Sequence, residues 1–225
     1  MNWGIYAKKE MMLFMESGIN KLKRRILEIS YRNKLSHISS CISAVEIIDE
    51  IYKRKKENDL FILSNGHAGI SLYTILEKIY GFDAQKIYEK NGVHPNNDKD
   101  YKIYCSTGSL GHGIGCALGF AFSEKNRDVY CLVSDGETFE GSFWECLQTK
   151  ERYKINNFLI YVNMNGFSAF QEIDVKRLTE KLKVFCKDIN IRYTQKNDID
   201  FLKGINGHYH ILNEETYKAA LKYYA

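Results

Sequence analysis

The 225-residue sequence has a single proline, Pro95, and no stretch rich in serine and glycine. Such residues punctuate linkers between domains, so their scarcity gives no reason to divide the chain, and one domain over residues 1–225 is expected. A long apolar run is missing as well. The first 18 residues, MNWGIYAKKEMMLFMESG, carry Lys8, Lys9 and Glu10 inside their most apolar part. A secretory leader or a membrane span needs an uninterrupted hydrophobic segment, so neither a leader nor a membrane partner is expected.

Charge of one sign is also lacking. With 32 basic and 28 acidic residues the formal net charge is +4, too mild for a nucleic-acid binder yet suited to a small anion. Residues 21–25 (KLKRR) and 53–56 (KRKK) are basic clusters in helical surroundings. No aromatic residues interleave with them, and they read as solvated helix faces. The six cysteines, at 41, 105, 116, 131, 146 and 186, form no CxxC pair, and most have apolar neighbours. They read as buried free thiols in a reducing, cytoplasmic compartment.

Hydrophobic residues make up 44% of the chain and aromatics 13%, enough for a large core. The first half is helical by its apolar spacing, over about 10–32, 43–55 and 67–80. A loop rich in Asn, Asp and Gly follows, from about 91 to 113. Beyond it, strands alternate with helices: strands at 129–133 (VYCLV), 158–163 (FLIYVN) and 191–194, helices at 140–153, 174–187 and 214–224. Alternation with short links predicts an α/β fold, a three-layer arrangement of a parallel sheet flanked by helices. Ligands of such sheets bind at the carboxyl ends of the strands.

At two of those ends stand Ser134-Asp135-Gly136 and Met164-Asn165-Gly166. If the helix between them is a right-handed crossover, the two strands are neighbours and Asp135 and Asn165 share one sheet edge. A carboxylate and an amide oxygen side by side are hard ligands suited to Mg²⁺ or Ca²⁺, with phosphate oxygens completing the shell. Asp-Gly and Asn-Gly are equally ordinary strand-to-helix turns. Upstream, Ser106-Thr107-Gly108-Ser109-Leu110-Gly111-His112-Gly113 can offer backbone amides to an anion, or simply turn a corner. The apolar helix after it (CALGFAF) would add a dipole favouring phosphate. His208-Tyr209-His210 has the spacing of a strand-borne metal pair, without an evident third ligand.

Together these segments resemble the transketolase family, over most of the chain. SDG followed by Asn165 resembles its thiamine-diphosphate motif, with Ser134 in place of the first glycine. STGSLGHG resembles its TTGPLGQG-type loop, and Leu63-Ser64-Asn65-Gly66-His67 its LSxGH segment. Ser36-His37-Ile38-Ser39-Ser40 is similar to its GHxGG segment, with serines for both glycines. His94-Pro95, Gly207-His208 (after Asn206, where the family often has Asp) and the run Glu137…Glu140-Gly141…Trp144-Glu145 complete the match.

The resemblance implies a thiamine-diphosphate-binding fold and transfer of a two-carbon ketol unit from a ketose to an aldehyde. Asp135, Asn165 and the carbonyl of Phe167 would ligate Mg²⁺ (or Ca²⁺). Gly108, Ser109, Leu110 and Gly136 would line thiamine diphosphate. Catalytic His37, His67, His94 and His208 would surround the substrate, where alkoxides form and are consumed and histidine suits proton exchange near neutral pH. Glu140 and Glu145 would join a carboxylate network reaching the cofactor across a subunit interface. The family's pyrimidine-binding domain, with the glutamate that activates the cofactor, is not recognisable in these 225 residues. The expectation is a separate pyrimidine-binding transketolase subunit in an α2β2 heterotetramer. Sugar, sugar-phosphate or nucleotide-sugar substrates are expected, and nucleic acid is not. A non-catalytic scaffold that keeps the fold is the alternative from another class, and a deoxyxylulose-phosphate-synthase-like component the nearer one.

Overall fold

The computed structural model describes residues 3–194 and 199–225, with the side chains of 3–17 and of Asn206 outside the description. Four parallel strands lie in the order β1-β2-β3-β4: β1 Leu60–Leu63, β2 Val129–Ser134, β3 Phe158–Met164 and β4 Asn190–Tyr193. Each joins the next through helical connections, as parallel pairing requires. Along the strands the side chains alternate between two cores. Phe61, Leu63, Tyr130, Leu132 and Tyr161 face one core; Leu60, Ile62, Val129, Cys131, Val133, Phe158, Ile160 and Val162 face the other.

The first core is covered by α1 Trp3–Arg32, α2 Ile38–Arg54, α3 Gly69–Tyr80, α4 Ala84–Asn91 and α9 Glu214–Tyr223. The second is covered by α5 His112–Ser123, α6 Gly141–Tyr153 and α7 Val175–Phe185. Every residue of β2 is buried. A sheet apolar on both faces needs helices on both, and the three-layer α/β arrangement expected from the strand–helix alternation is the one found.

The helix expected from 43 begins at Ile38, because His37, with φ 61° and ψ 20°, makes a sharp left-handed entry there. Strand β1 and helix α4 were not expected. Strand β1 has only four residues, LFIL, too short a run to stand out between two helices. Helix α4 is polar, but Asp83 caps it by accepting from the Gln85 and Lys86 amides, and Gly92 (φ 76°) ends it. The strand-borne pairing of His208 with His210 is overturned. Residues Gly204–Tyr209 form a short helix, α8, which sends His208 toward His37 and His210 against Phe201.

Candidate functional site

Strands β2 and β3 pair in register, Ser134 opposite Asn163, so their chains leave the sheet at one edge. Asp135 is the next residue after β2, and Asn165 the next after β3. The Gly166 amide donates to Asp135 Oδ2 at 2.6 Å and the Gly136 amide to Oδ1 at 3.1 Å, tying the two turns together. Asp135 is fully buried, and the hydrogen bonds it accepts come from backbone amides. Burial pushes its carboxyl up to about 7, against the pull of the backbone amides. Asn165 Oδ1 accepts from the Phe167 amide at 2.9 Å.

The glycine loop meets this edge through Glu137, which is also fully buried. Its carboxylate accepts from Ser64 Oγ (2.6 Å), the Gly111 amide (3.0 Å) and the Ser134 amide (2.9 Å). Ser64 Oγ in turn accepts from the Ile114 amide at 3.0 Å. One side chain thus joins the end of β1, the end of β2 and the N-terminus of α5. Burial raises the Glu137 carboxyl while these donors lower it. Glycine is required at two contacts of this junction. A Cβ on Gly66 would lie 2.7 Å from the Thr107 carbonyl carbon. Gly111 has φ 75°, and a Cβ there would lie 2.4 Å from Ser142 Oγ.

Three histidines close the other side. The ring centroids of His37 and His208 are 4.3 Å apart, those of His37 and His67 5.5 Å, and those of His67 and His208 5.7 Å. The His37 amide donates to the His208 carbonyl at 2.9 Å, holding α2 and α8 together. Burial, reinforced by the neighbouring rings, lowers His37 to about 4 and His67 to about 3; burial also lowers His208. At neutral pH the three are uncharged imidazoles, each a donor at one ring nitrogen and an acceptor at the other.

Between these groups lies a cavity of ≈ 240 Å³, lined by His37, His67, His94, His208, Gly108, Leu110, Gly136, Asn165 and Phe167 among others. Asp135, between the lining residues Ser134 and Gly136, keeps its side chain out of solvent. Ser109, Glu140 and Glu145 do not line it and are exposed to solvent. Of the two serines at the GHxGG-like segment, Ser40 lines the cavity. Ser39, also in the lining, donates to the Leu202 and Gly207 carbonyls at 2.9 and 3.2 Å, tethering α2 to the 202–207 segment. Asn206, singled out in the sequence, has its side chain outside the described residues. Glu137 was not among the expected site residues, although Ser134-x-x-Glu137 is the capping-box spacing that signals it.

A family profile described as the thiamine diphosphate binding domain of transketolase matches residues 46–200. The chain is 33% identical over 173 residues to the transketolase of Homo sapiens, covering 67% of this chain and 27% of that protein. It is 29% identical over 239 residues to one subunit of the apulose-4-phosphate transketolase of Actinobacillus succinogenes, covering 92% of this chain and 85% of that one. The transketolase structure from Campylobacter jejuni superposes with a TM-score of 0.72 at 19% identity, over 93% of this chain and 42% of that one. The chain belongs to the transketolase family and carries its thiamine-diphosphate-binding domain. It spans about a quarter of the length of the full transketolases and most of the length of the Actinobacillus protein.

Proposed function

We propose that the chain is the diphosphate- and Mg²⁺-binding subunit of a split transketolase, transferring a two-carbon ketol unit from a ketose to an aldehyde. The carrying observation is the join of the Asp135 and Asn165 turns at adjacent strand ends, beside the cavity that Asn165 and Gly136 line together with the histidines.

The residues fit the cofactor. Asp135, Asn165 and the Phe167 carbonyl are an all-oxygen donor set of the kind Mg²⁺ or Ca²⁺ takes. Asp135 is a buried carboxylate with only backbone amides against its charge, an arrangement that a cation would complete. Where the turn after β1 meets the glycine loop, the Asn65 amide group and Thr107 Oγ1 are buried without hydrogen-bond partners. Thiamine diphosphate, when bound, supplies the carbon nucleophile and electron sink that no side chain offers.

The chain's own residues would do the rest. Asp135 and Asn165 fix the metal, and Gly108, Leu110 and Gly136 allow close backbone approach, with Ser109 beside them. His37, His67 and His208, neutral and mutually packed, hydrogen-bond the hydroxyls of the ketose, orient its carbonyl and hold or release a proton at its oxygen; His94, also in the lining, stands over Gly108. The positive net charge suits a phosphorylated sugar. Glu140 and Glu145, exposed on the α6 side, would meet another subunit, and exposed Phe139 and Phe170 pack edge to face nearby, 5.5 Å apart. The proposed partner carries the pyrimidine-binding domain, in an α2β2 assembly. The cytoplasm is the proposed compartment, from six cysteines that are all free thiols. Among the described residues no helix is long and apolar enough to cross a membrane.

Affinity capture of the partner, followed by a ketol-transfer assay on each chain and on their mixture, tests the proposal. Transfer is expected in the mixture alone. Turnover by this chain by itself would overturn its dependence on a partner.

A further inference from the structure

We propose that Cys105, His112 and Cys116 form a zinc site that clamps the two ends of the glycine loop. Their ligand atoms all lie within 4.8 Å of one another. Cys116 Sγ is 3.5 Å from His112 Nε2. In tetrahedral zinc coordination, with Zn–S near 2.3 Å and Zn–N near 2.0 Å, neighbouring sulfur and nitrogen ligands sit about 3.5 Å apart. The spacing of this pair is therefore that of a coordination edge.

Local structure explains the pairing. His112 and Cys116 stand four residues apart at the start of α5, so their side chains share one helix face. Cys105 comes from the loop just before the glycine segment and reaches the same point. Both cysteines are partly exposed and His112 is exposed, leaving room for water as the fourth ligand and an open path for the ion. Cys105 Sγ lies 3.3 Å from the Ser106 carbonyl, a weak contact that metal binding would replace, with the thiol protons leaving to solvent.

The ligand set also selects the ion. Two thiolates and an imidazole are soft donors, matched to Zn²⁺ and poorly matched to Mg²⁺. The oxygen donors at Asp135 and Asn165 have the opposite preference, so the two sites would sort the two metals. Between the zinc ligands run Gly108 and Leu110, which line the cavity, and Gly111, which bonds Glu137. Zinc would join residue 105 to residues 112 and 116 and so restrain the backbone that faces the cavity. The proposal stands on the cysteines and His112 alone and does not require thiamine diphosphate to bind.

The test uses the full chain, reduced, stripped with a chelator and titrated with Co²⁺. Expected are one Co²⁺ per chain, a thiolate-to-cobalt charge-transfer band, displacement by Zn²⁺ and no displacement by excess Mg²⁺. Cys105→Ser and Cys116→Ser should each lose most of the band, and His112→Ala should weaken binding by roughly tenfold or more. Zinc protection of Cys105 and Cys116 from alkylation, mapped by mass spectrometry, needs no variant. Amide exchange over residues 106–111 should slow with zinc in the wild type. Absence of the band in the reduced wild type, or a band that survives both serine variants, overturns the proposal. A Cys105–Cys116 disulfide with no metal uptake after reduction does the same. Failure to bind thiamine diphosphate with zinc uptake intact would count against the function proposed above and leave this site standing.

Discussion

At the scale of single residues, burial sets which groups of the site carry charge and which stay neutral. Asp135 and Glu137 are carboxylates raised by burial, while His37 and His67 are imidazoles lowered by it. The histidines give a measurable pH signature. His67 is held near 3 against an ordinary 6.5, so on acidification the unfolded chain takes up a proton that the folded chain refuses. Its neutral burial is therefore tolerated in full above pH 6.5, and stability falls as pH drops from 6.5 toward about 3. Each such histidine contributes a slope of about 1.4 kcal/mol per pH unit in that window. Urea denaturation of wild type and His67→Gln between pH 4 and 6.5 should show the variant's slope reduced by about one proton. The raised carboxylates act in the opposite direction in both proteins, so only the difference is diagnostic. Identical slopes would contradict the neutral assignment of His67. These histidines were legible in the sequence from their segments, SHISS and LSNGH; their contact with one another was not, since it depends on the fold of 204–209.

At the scale of elements, the junction of β1, β2 and α5 hangs on Glu137. Replacing it with Gln keeps the shape but turns an amide group toward the Ser64, Gly111 and Ser134 donors. The loss of charged hydrogen bonds should lower stability by about 2–3 kcal/mol, read as a lower denaturation midpoint. Gly66→Ala acts on the same junction through space. Its Cβ would meet the Thr107 backbone at 2.7 Å, so the glycine loop must shift, and affinity for thiamine diphosphate with Mg²⁺ should fall more than global stability does. An unchanged cofactor titration in Gly66→Ala would argue that this loop does not bear the cofactor. Strands β2 and β3 were readable because each is an uninterrupted apolar run ended by a turn signal. Strand β1 was not, being a run of only four apolar residues, and α4 was hidden by its polarity despite the Asp83 cap and Gly92 stop. Glu137 stands in the run that resembles the family, but its role at this junction has no hydrophobic signature; its spacing from Ser134 is what marks it as a cap.

At the scale of the whole molecule, the exposed pair Phe139 and Phe170 marks the face proposed to meet a second chain. Phe170 is 66% exposed and Phe139 49%, packed on each other rather than into the core. Buried in an interface they would anchor it, so the double substitution Phe139→Ser, Phe170→Ser should weaken association with the partner by at least about 2 kcal/mol, measured by sedimentation, while leaving the isolated chain folded. The parallel sheet and the meeting of Asp135 and Asn165 at one of its edges were legible from the strand–helix alternation, whereas nothing in one chain's periodicity reveals a face on which another could dock. The most direct test of the central claim is a calorimetric titration of thiamine diphosphate with Mg²⁺ into the complex of this chain with its partner, comparing wild type with Asp135→Ala. Saturable binding by wild type, abolished in Asp135→Ala and dependent on the divalent cation, is the expected result. Equal binding by Asp135→Ala, or no binding by any mixture, would contradict the account and leave the chain a scaffold that has kept the fold alone.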